Sequence, residues 1–199
     1  MRKVVLFAED SAHEQIISSM MRRLAHTMGV QINLKCLNAT GGHGHVLASL
    51  RRFVSDITQH QIPSPELIVV AIDANCHGYN GRKKEIVEIY GPTAVPVSYA
   101  IPDPHVERWL LVDSAAFKSA LGVGCAPPNQ KCQRDLYKSL LRDAVEKAGA
   151  TPLLGGIEYA DDIVAKMDLT HTPQADESLE KFLSPVRRQF RQWARENAH

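Results

Sequence analysis

Apolar residues gather in two kinds of pattern along the first half of the chain. Val4-Val5-Leu6-Phe7-Ala8 and Leu67-Ile68-Val69-Val70-Ala71-Ile72 are unbroken runs, with the length and β-branched content of strands buried on both faces. Each run stops at an acid, the first at Glu9-Asp10 and the second at Asp73. Between them Ile16, Ile17, Met20, Met21, Leu24 and Met28 recur at helical spacing, with Asp10 or Ser11 to cap the start and Gly29 to close the end. Gln31 to Leu37 alternates as a further strand. A loop from Asn38 to Gly44 and a helix from about His45 to His60 follow, and Pro63 and Pro65 then break the chain.

Past Asp73 the pattern predicts a polar loop at Gly78 to Gly81, a helix over Arg82 to Tyr90, a β-rich run from Thr93 to Ile101 and a short helix from His105 to Leu111. Strands alternating with helices imply an α/β fold with a mainly parallel sheet flanked by helices. Beyond Phe117 the style changes to a loop over Gly122 to Gln130. Helices are predicted from about Lys131 to Ala148, Tyr159 to Met167 and Ser178 to Asn197. The 199 residues read as one domain, with a core over about 1–121 and a helical C-terminal part over about 122–199.

Composition narrows the picture. The 44% hydrophobic and 23% charged residues are ordinary for a globular chain. With Lys plus Arg at 23 against Asp plus Glu at 22, there is no bulk attraction to a polyanion, so any nucleic-acid contact must be local. No apolar run approaches the roughly 20 residues of a membrane span, and Met1-Arg2-Lys3 meets Glu9-Asp10 too early for a signal peptide. A cytoplasmic protein without membrane contact is the expectation. Four cysteines without paired short spacing point to reduced thiols, and Cys76-His77 with Cys125 and Cys132 has no recognised zinc spacing.

In open α/β sheets, ligands collect outside the carboxyl ends of the strands. Glu9 and Asp73 both sit there. One acid after a strand is often a helix cap, but two at equivalent places suit Mg²⁺, which takes hard oxygen ligands and keeps waters for substrate phosphate.

The strand Val5-Leu6-Phe7-Ala8-Glu9, the later Asp73-Ala74-Asn75, and Pro102-Asp103-Pro104-His105-Val106-Glu107-Arg108-Trp109-Leu110-Leu111 together resemble the TOPRIM domain and its small OLD-type and RloB-like relatives. Tyr159-Ala160, Met167-Asp168 and Ser178 to Phe182 extend the resemblance toward the C-terminal part. It implies a TOPRIM/Rossmann-like fold, Glu9, Asp73 and Glu107 as catalytic acids, and Mg²⁺ or Mn²⁺ held by Glu9, Asp73 and Asn75. It also implies phosphodiester chemistry on nucleic acid and, from the relatives found in phage-defence loci, an ATPase partner. Two positions depart from the pattern: Asp10 replaces the glycine after the first Glu, and Asn75 replaces the second Asp and brings no charge.

Other residues compete for roles. Gly41 and Gly42, in Thr40-Gly41-Gly42-His43-Gly44-His45, precede a predicted helix and can cradle a phosphate, although no Gly-Lys-Ser/Thr closes a Walker loop. His43 and His45 read as solvated loop residues. Arg82, Lys83 and Lys84 stand ready to neutralise phosphate. Arg187, Arg188, Arg191 and Arg195 share a helix face with Phe190 and Trp193 close by; a solvated face with inward-packed aromatics is favoured over a nucleic-acid surface with a base stacked on Trp193. The expected function is a metal-dependent nuclease or related phosphodiester-transfer protein. The alternatives are a catalytically weak module that binds nucleic acid or a partner protein, and a flavodoxin-like nucleotide-binding domain using the Gly41 loop.

Overall fold

In the first strand, β1 (Arg2–Ala8), successive side chains serve opposite cores: Val4, Leu6 and Ala8 enter one and Val5 and Phe7 the other. The same division runs through β3 (Leu67–Ala71), which is why both strands read as unbroken apolar runs. With β2 (Ile32–Asn38) and β4 (Val97–Ala100) they form a four-stranded, all-parallel sheet in the order β2-β1-β3-β4. The computed structural model describes residues 1–38, 41–91, 95–126, 128–170 and 176–197.

Helix α1 (Ser11–Thr27) lays Ile16, Ile17, Met20, Met21 and Leu24 on one face of the sheet. Helices α2 (His43–Thr58) and α3 (Gly78–Tyr90) cover the other with Val46, Leu50, Ile57, Ile86 and Tyr90. The α/β architecture expected from the sequence is therefore present. The C-terminal helices add to the α1 side: α4 (Glu107–Leu111), α5 (Ser114–Leu121), α6 (Leu136–Lys147), α7 (Ala160–Lys166) and α8 (Glu177–Glu196). Leu141, Val145, Ile163, Phe182 and Phe190 lie in the same apolar cluster as Leu6 and Val69, so the C-terminal part completes the core of the sheet. Full burial of Phe182 and Phe190 contributes about 1.5–3 kcal/mol each.

α8 is locked along β4. The Trp109 ring stacks on Phe182 with centroids 5.6 Å apart, its Nε1–H donates to Ser178 Oγ at 3.0 Å, and Arg108 pairs with buried Asp176. Among the described residues, no helix is long and apolar enough to cross a membrane.

Four boundaries move. α3 begins at Gly78, so the polar loop expected at Gly78 to Gly81 is instead its first turn. The β-rich run shortens to β4, since Pro96 has no N–H for the ladder; Thr93 lies outside the described residues. α2 begins at His43, just past Gly42, while Ala39 and Thr40 are also outside them. α6 starts at Leu136 rather than Lys131 because the buried Tyr137 hydroxyl holds the segment before it, donating to Asn129 O at 2.8 Å and accepting from Lys131 N at 2.7 Å. Asp135 then turns the chain with φ 56°. The cysteines need a correction as well: Cys76 and Cys132 are joined in a disulfide, and only Cys36 and Cys125 are free thiols. Residues 56 apart in sequence are thereby brought side by side.

Candidate functional site at the carboxyl edge of the sheet

From β1 the chain passes outward to β2 through α1, and from β2 it crosses back over β1 to β3 through α2. β1 and β3 are therefore neighbours whose connections leave in opposite directions, the arrangement that opens a crevice at the strands' carboxyl ends. Glu9 follows β1 and Asp73 follows β3. The Glu9 N–H still bonds to Ala71 O at 3.0 Å, and its side chain crosses the crevice to accept the Asp73 N–H through Oε2 at 2.9 Å.

Asp73 is the hub. Its Oδ1 takes the Val106 N–H at 2.9 Å and faces His13 Nε2 at 3.0 Å, and its Oδ2 faces His105 Nδ1 at 2.9 Å. The other nitrogen of His13, Nδ1, meets Asp10 Oδ1 at 2.8 Å, and the same oxygen caps α1 through the His13 N–H at 3.0 Å. The result is a chain of alternating acid and imidazole: Asp10, His13, Asp73, His105.

The charges follow from these contacts. Burial alone would strip the proton from His13, but the charge of Asp73 and the hydrogen bond to Asp10 hold its pKa well above the ordinary value. Burial would raise Asp73 too, and the charge of His13 with the His105 hydrogen bond lowers it instead. For Asp10, burial is again outweighed, here by the hydrogen bond and charge of His13. The hydrogen bond to Asp73 raises His105.

Glu107 behaves differently. It is only 2% exposed, so it is not a solvated helix acid, and among the described residues its Oε2 has no hydrogen-bond partner. Burial first, and then the charge of Asp73, push its pKa upward.

These groups surround a cavity of about 250 Å³ lined by Glu9, Asp10, Asp73, Asn75, His105 and, from the α6 side, Arg134, Asp135, Tyr137 and Lys138. Asn75 borders it in a left-handed conformation, φ 49°, with its N–H on Pro104 O. Arg134 pairs with Asp135 at 3.4 Å, while Lys138 has no acid within ion-pair distance among the described residues. The Cys76–Cys132 disulfide ties the two rims together just beside Asn75 and Arg134. Gly42 reaches the same edge: a Cβ there would stand 3.8 Å from Glu9 Oε1, so the N-terminus of α2 faces a carboxylate of the protein itself.

Glu9, Asp73, Asn75 and Glu107 are thus brought to one edge of the sheet. Arg82 and Lys83 are not among the residues lining the cavity. The Arg82 guanidinium holds Glu85 at 3.1 Å, and Lys83 Nζ lies 5.3 Å from the Tyr99 ring centroid. Trp193 is buried against Phe190, with the Arg2 guanidinium 5.6 Å from its ring centroid, and so presents no face to a base. Arg187 is buried on Glu180 and Leu169 O, whereas Arg188, Arg191 and Arg195 are exposed. The inward-packed reading of that helix holds for its aromatics.

Sequence reasoning missed His13, His105, Tyr137, Lys138 and Arg134. For His13 a signal exists: it sits three residues after the cap Asp10, in the stripe that continues as Ile16, Ile17 and Met20, where a polar residue needs a buried partner. Nothing local marks Lys138, which reaches the site only through the docking of α6.

The metal expectation can be set against this donor set. Both Asp73 oxygens are engaged by imidazoles and a backbone N–H, Asn75 brings no charge, and among the described residues no group of three or more His, Cys, Asp or Glu side chains is placed to hold a metal ion. As arranged, the residues do not fit a resident Mg²⁺ or Mn²⁺. Comparison with family models, curated proteins and solved structures found no match for this chain.

Proposed function

We propose that the carboxyl-edge cavity binds phosphate groups of nucleic acid and breaks phosphodiester bonds, with His105 as the proton-transferring group. The observation that carries this reading is the Asp73–His105 pair beside Lys138 in a polar crevice. Asp73 fixes Nδ1 as the protonated nitrogen and leaves Nε2 to give or take a proton, the division of labour of a general acid–base histidine. Asp73 is then a positioning residue. Lys138 supplies positive charge for a phosphoryl group that gains charge in the transition state.

The TOPRIM-like reading, with Mg²⁺ or Mn²⁺ at Glu9, Asp73 and Asn75, is a second route through the same cavity. It rests on the sequence resemblance and requires Asp73 to release its imidazoles. A role in antiviral defence and an ATPase partner rest on the resemblance alone.

Cleavage of single- and double-stranded DNA and RNA, followed on gels with Mg²⁺, with Mn²⁺ and with EDTA, separates the routes. The histidine route predicts turnover in EDTA that falls roughly 10²–10⁴-fold in His105→Ala. Strict metal dependence with His105→Ala fully active would replace it with the metal route. No cleavage under any condition, with polynucleotide binding equal in wild type and Lys138→Ala, would overturn both.

A further inference from the structure

A second chamber adjoins the first. It measures about 170 Å³ and is lined by Asp10, Ser11, Ala12, Glu107, Lys138, Leu154, Gly155 and Ile157, so Asp10 and Lys138 form the wall the two share. We infer that this chamber is a nucleobase subsite, and that the cavity's ligand is a nucleotide whose phosphate lies at Lys138 while its base meets Glu107. The inference rests on the phosphate-binding reading above and adds the part of the substrate that is recognised.

Three observations converge on it. First, among the described residues Glu107 Oε2 is buried with no partner, and a buried polar atom is costly unless something bonds to it. A base supplies the missing donor through ring or exocyclic N–H groups, and pockets for extruded bases read them in this way, with apolar side chains against the ring faces.

Second, the chamber has that mixed character. Ala12, Leu154 and Ile157 are apolar, Glu107 and Ser11 are polar, and the volume suits one heterocycle rather than a stacked pair. Leu153 and Leu154 stand 83% and 64% exposed at its edge, where large apolar side chains otherwise face water. Third, Lys138 is common to both chambers and, among the described residues, has no acid within ion-pair distance, although its charge acts on Asp10 and Glu107; that placement suits an anion covalently tied to the group next door. A paired base cannot enter, so the substrate is a single strand, an end or an extruded nucleotide.

The test uses inorganic phosphate, the four 5′-nucleoside monophosphates and the four nucleosides, titrated calorimetrically into the full chain. The expected result is one monophosphate binding about tenfold or more tighter than inorganic phosphate, with the preferred base changed in Glu107→Gln and phosphate affinity unchanged. Leu154→Asp, at an exposed position that folding tolerates, should weaken the monophosphates alone and carries the test if Glu107→Gln fails to fold. Monophosphates binding no better than inorganic phosphate, or a base order unmoved by both substitutions, would overturn the subsite and leave the phosphate reading standing. Nucleosides binding while phosphate does not would retain the base subsite and remove the phosphate reading. Failure of all nine probes to bind removes the subsite.

Discussion

Asp73 and Glu107 lie in adjoining regions of one crevice, and their surroundings could hardly differ more. Asp73 gathers a backbone N–H and two imidazoles, and its carboxylate keeps its charge despite burial. Glu107 is buried more completely, leaves one oxygen without a partner, and is driven toward the neutral acid. Depth alone does not decide the charge of a carboxyl group; the donors supplied to it do. One region is built to stay as it is, and the other to be completed.

Breaking the first region should have the largest effect. Asp73→Asn leaves the His13 imidazolium with only Asp10 and removes the acceptor that orients His105. The expected loss is roughly 3–5 kcal/mol of stability by urea denaturation. Any phosphodiesterase activity should fall with an altered pH profile, and a variant as stable as wild type would dismiss the hub.

His13→Gln should cost less, about 2–4 kcal/mol near pH 6, and the loss should depend on pH. The folded pKa of His13 is raised, so its contribution is fully present below the unfolded value near 6.5 and fades as pH rises through the folded one. Asp10 and Asp73 are lowered, so their share is present above an unfolded value near 4 and is lost as pH falls through their folded values. The gap in melting temperature between wild type and His13→Gln should therefore narrow on the alkaline side. A gap that stays constant to pH 10 would contradict the protonated imidazole.

Glu107→Gln gives the smallest change, within about 1 kcal/mol at pH 5, because the amide resembles the protonated acid. A raised acid loses stability as pH climbs above its unfolded pKa, so the amide variant should gain on wild type toward pH 8. A steep loss at both pH values would mean that Glu107 is held as a carboxylate.

The frame of this site was legible in the sequence because strands buried on both faces leave continuous apolar runs, and the acids that end those runs stand where ligands gather. Glu9 and Asp73 were found in that way, and Glu107 through its resemblance to a family segment. Apart from His13, the partners were not legible. His105 follows a proline-rich turn whose path is set by Ala74 and Asn75 bonding to Pro102 O and Pro104 O, and Arg134, in the turn before α6, and Lys138, within it, come from more than sixty residues downstream of Asp73. Arg82 and Lys83, read from the sequence as phosphate ligands, instead meet Glu85 and the Tyr99 ring and do not line the crevice. Charge composition marks which side chains are ionised and leaves their partners to tertiary contact.

Helix α8 also governs the order of events during synthesis. Phe182, Phe190 and Trp193 cover apolar surface whose other half, around Trp109, emerges much earlier. At ribosomal speeds of about 5–20 residues per second, that surface waits several seconds for its lid. A nascent chain at that stage holds all four strands and lacks the helix that covers this flank, and its solubility in that interval depends on whatever shields the apolar surface until α8 arrives.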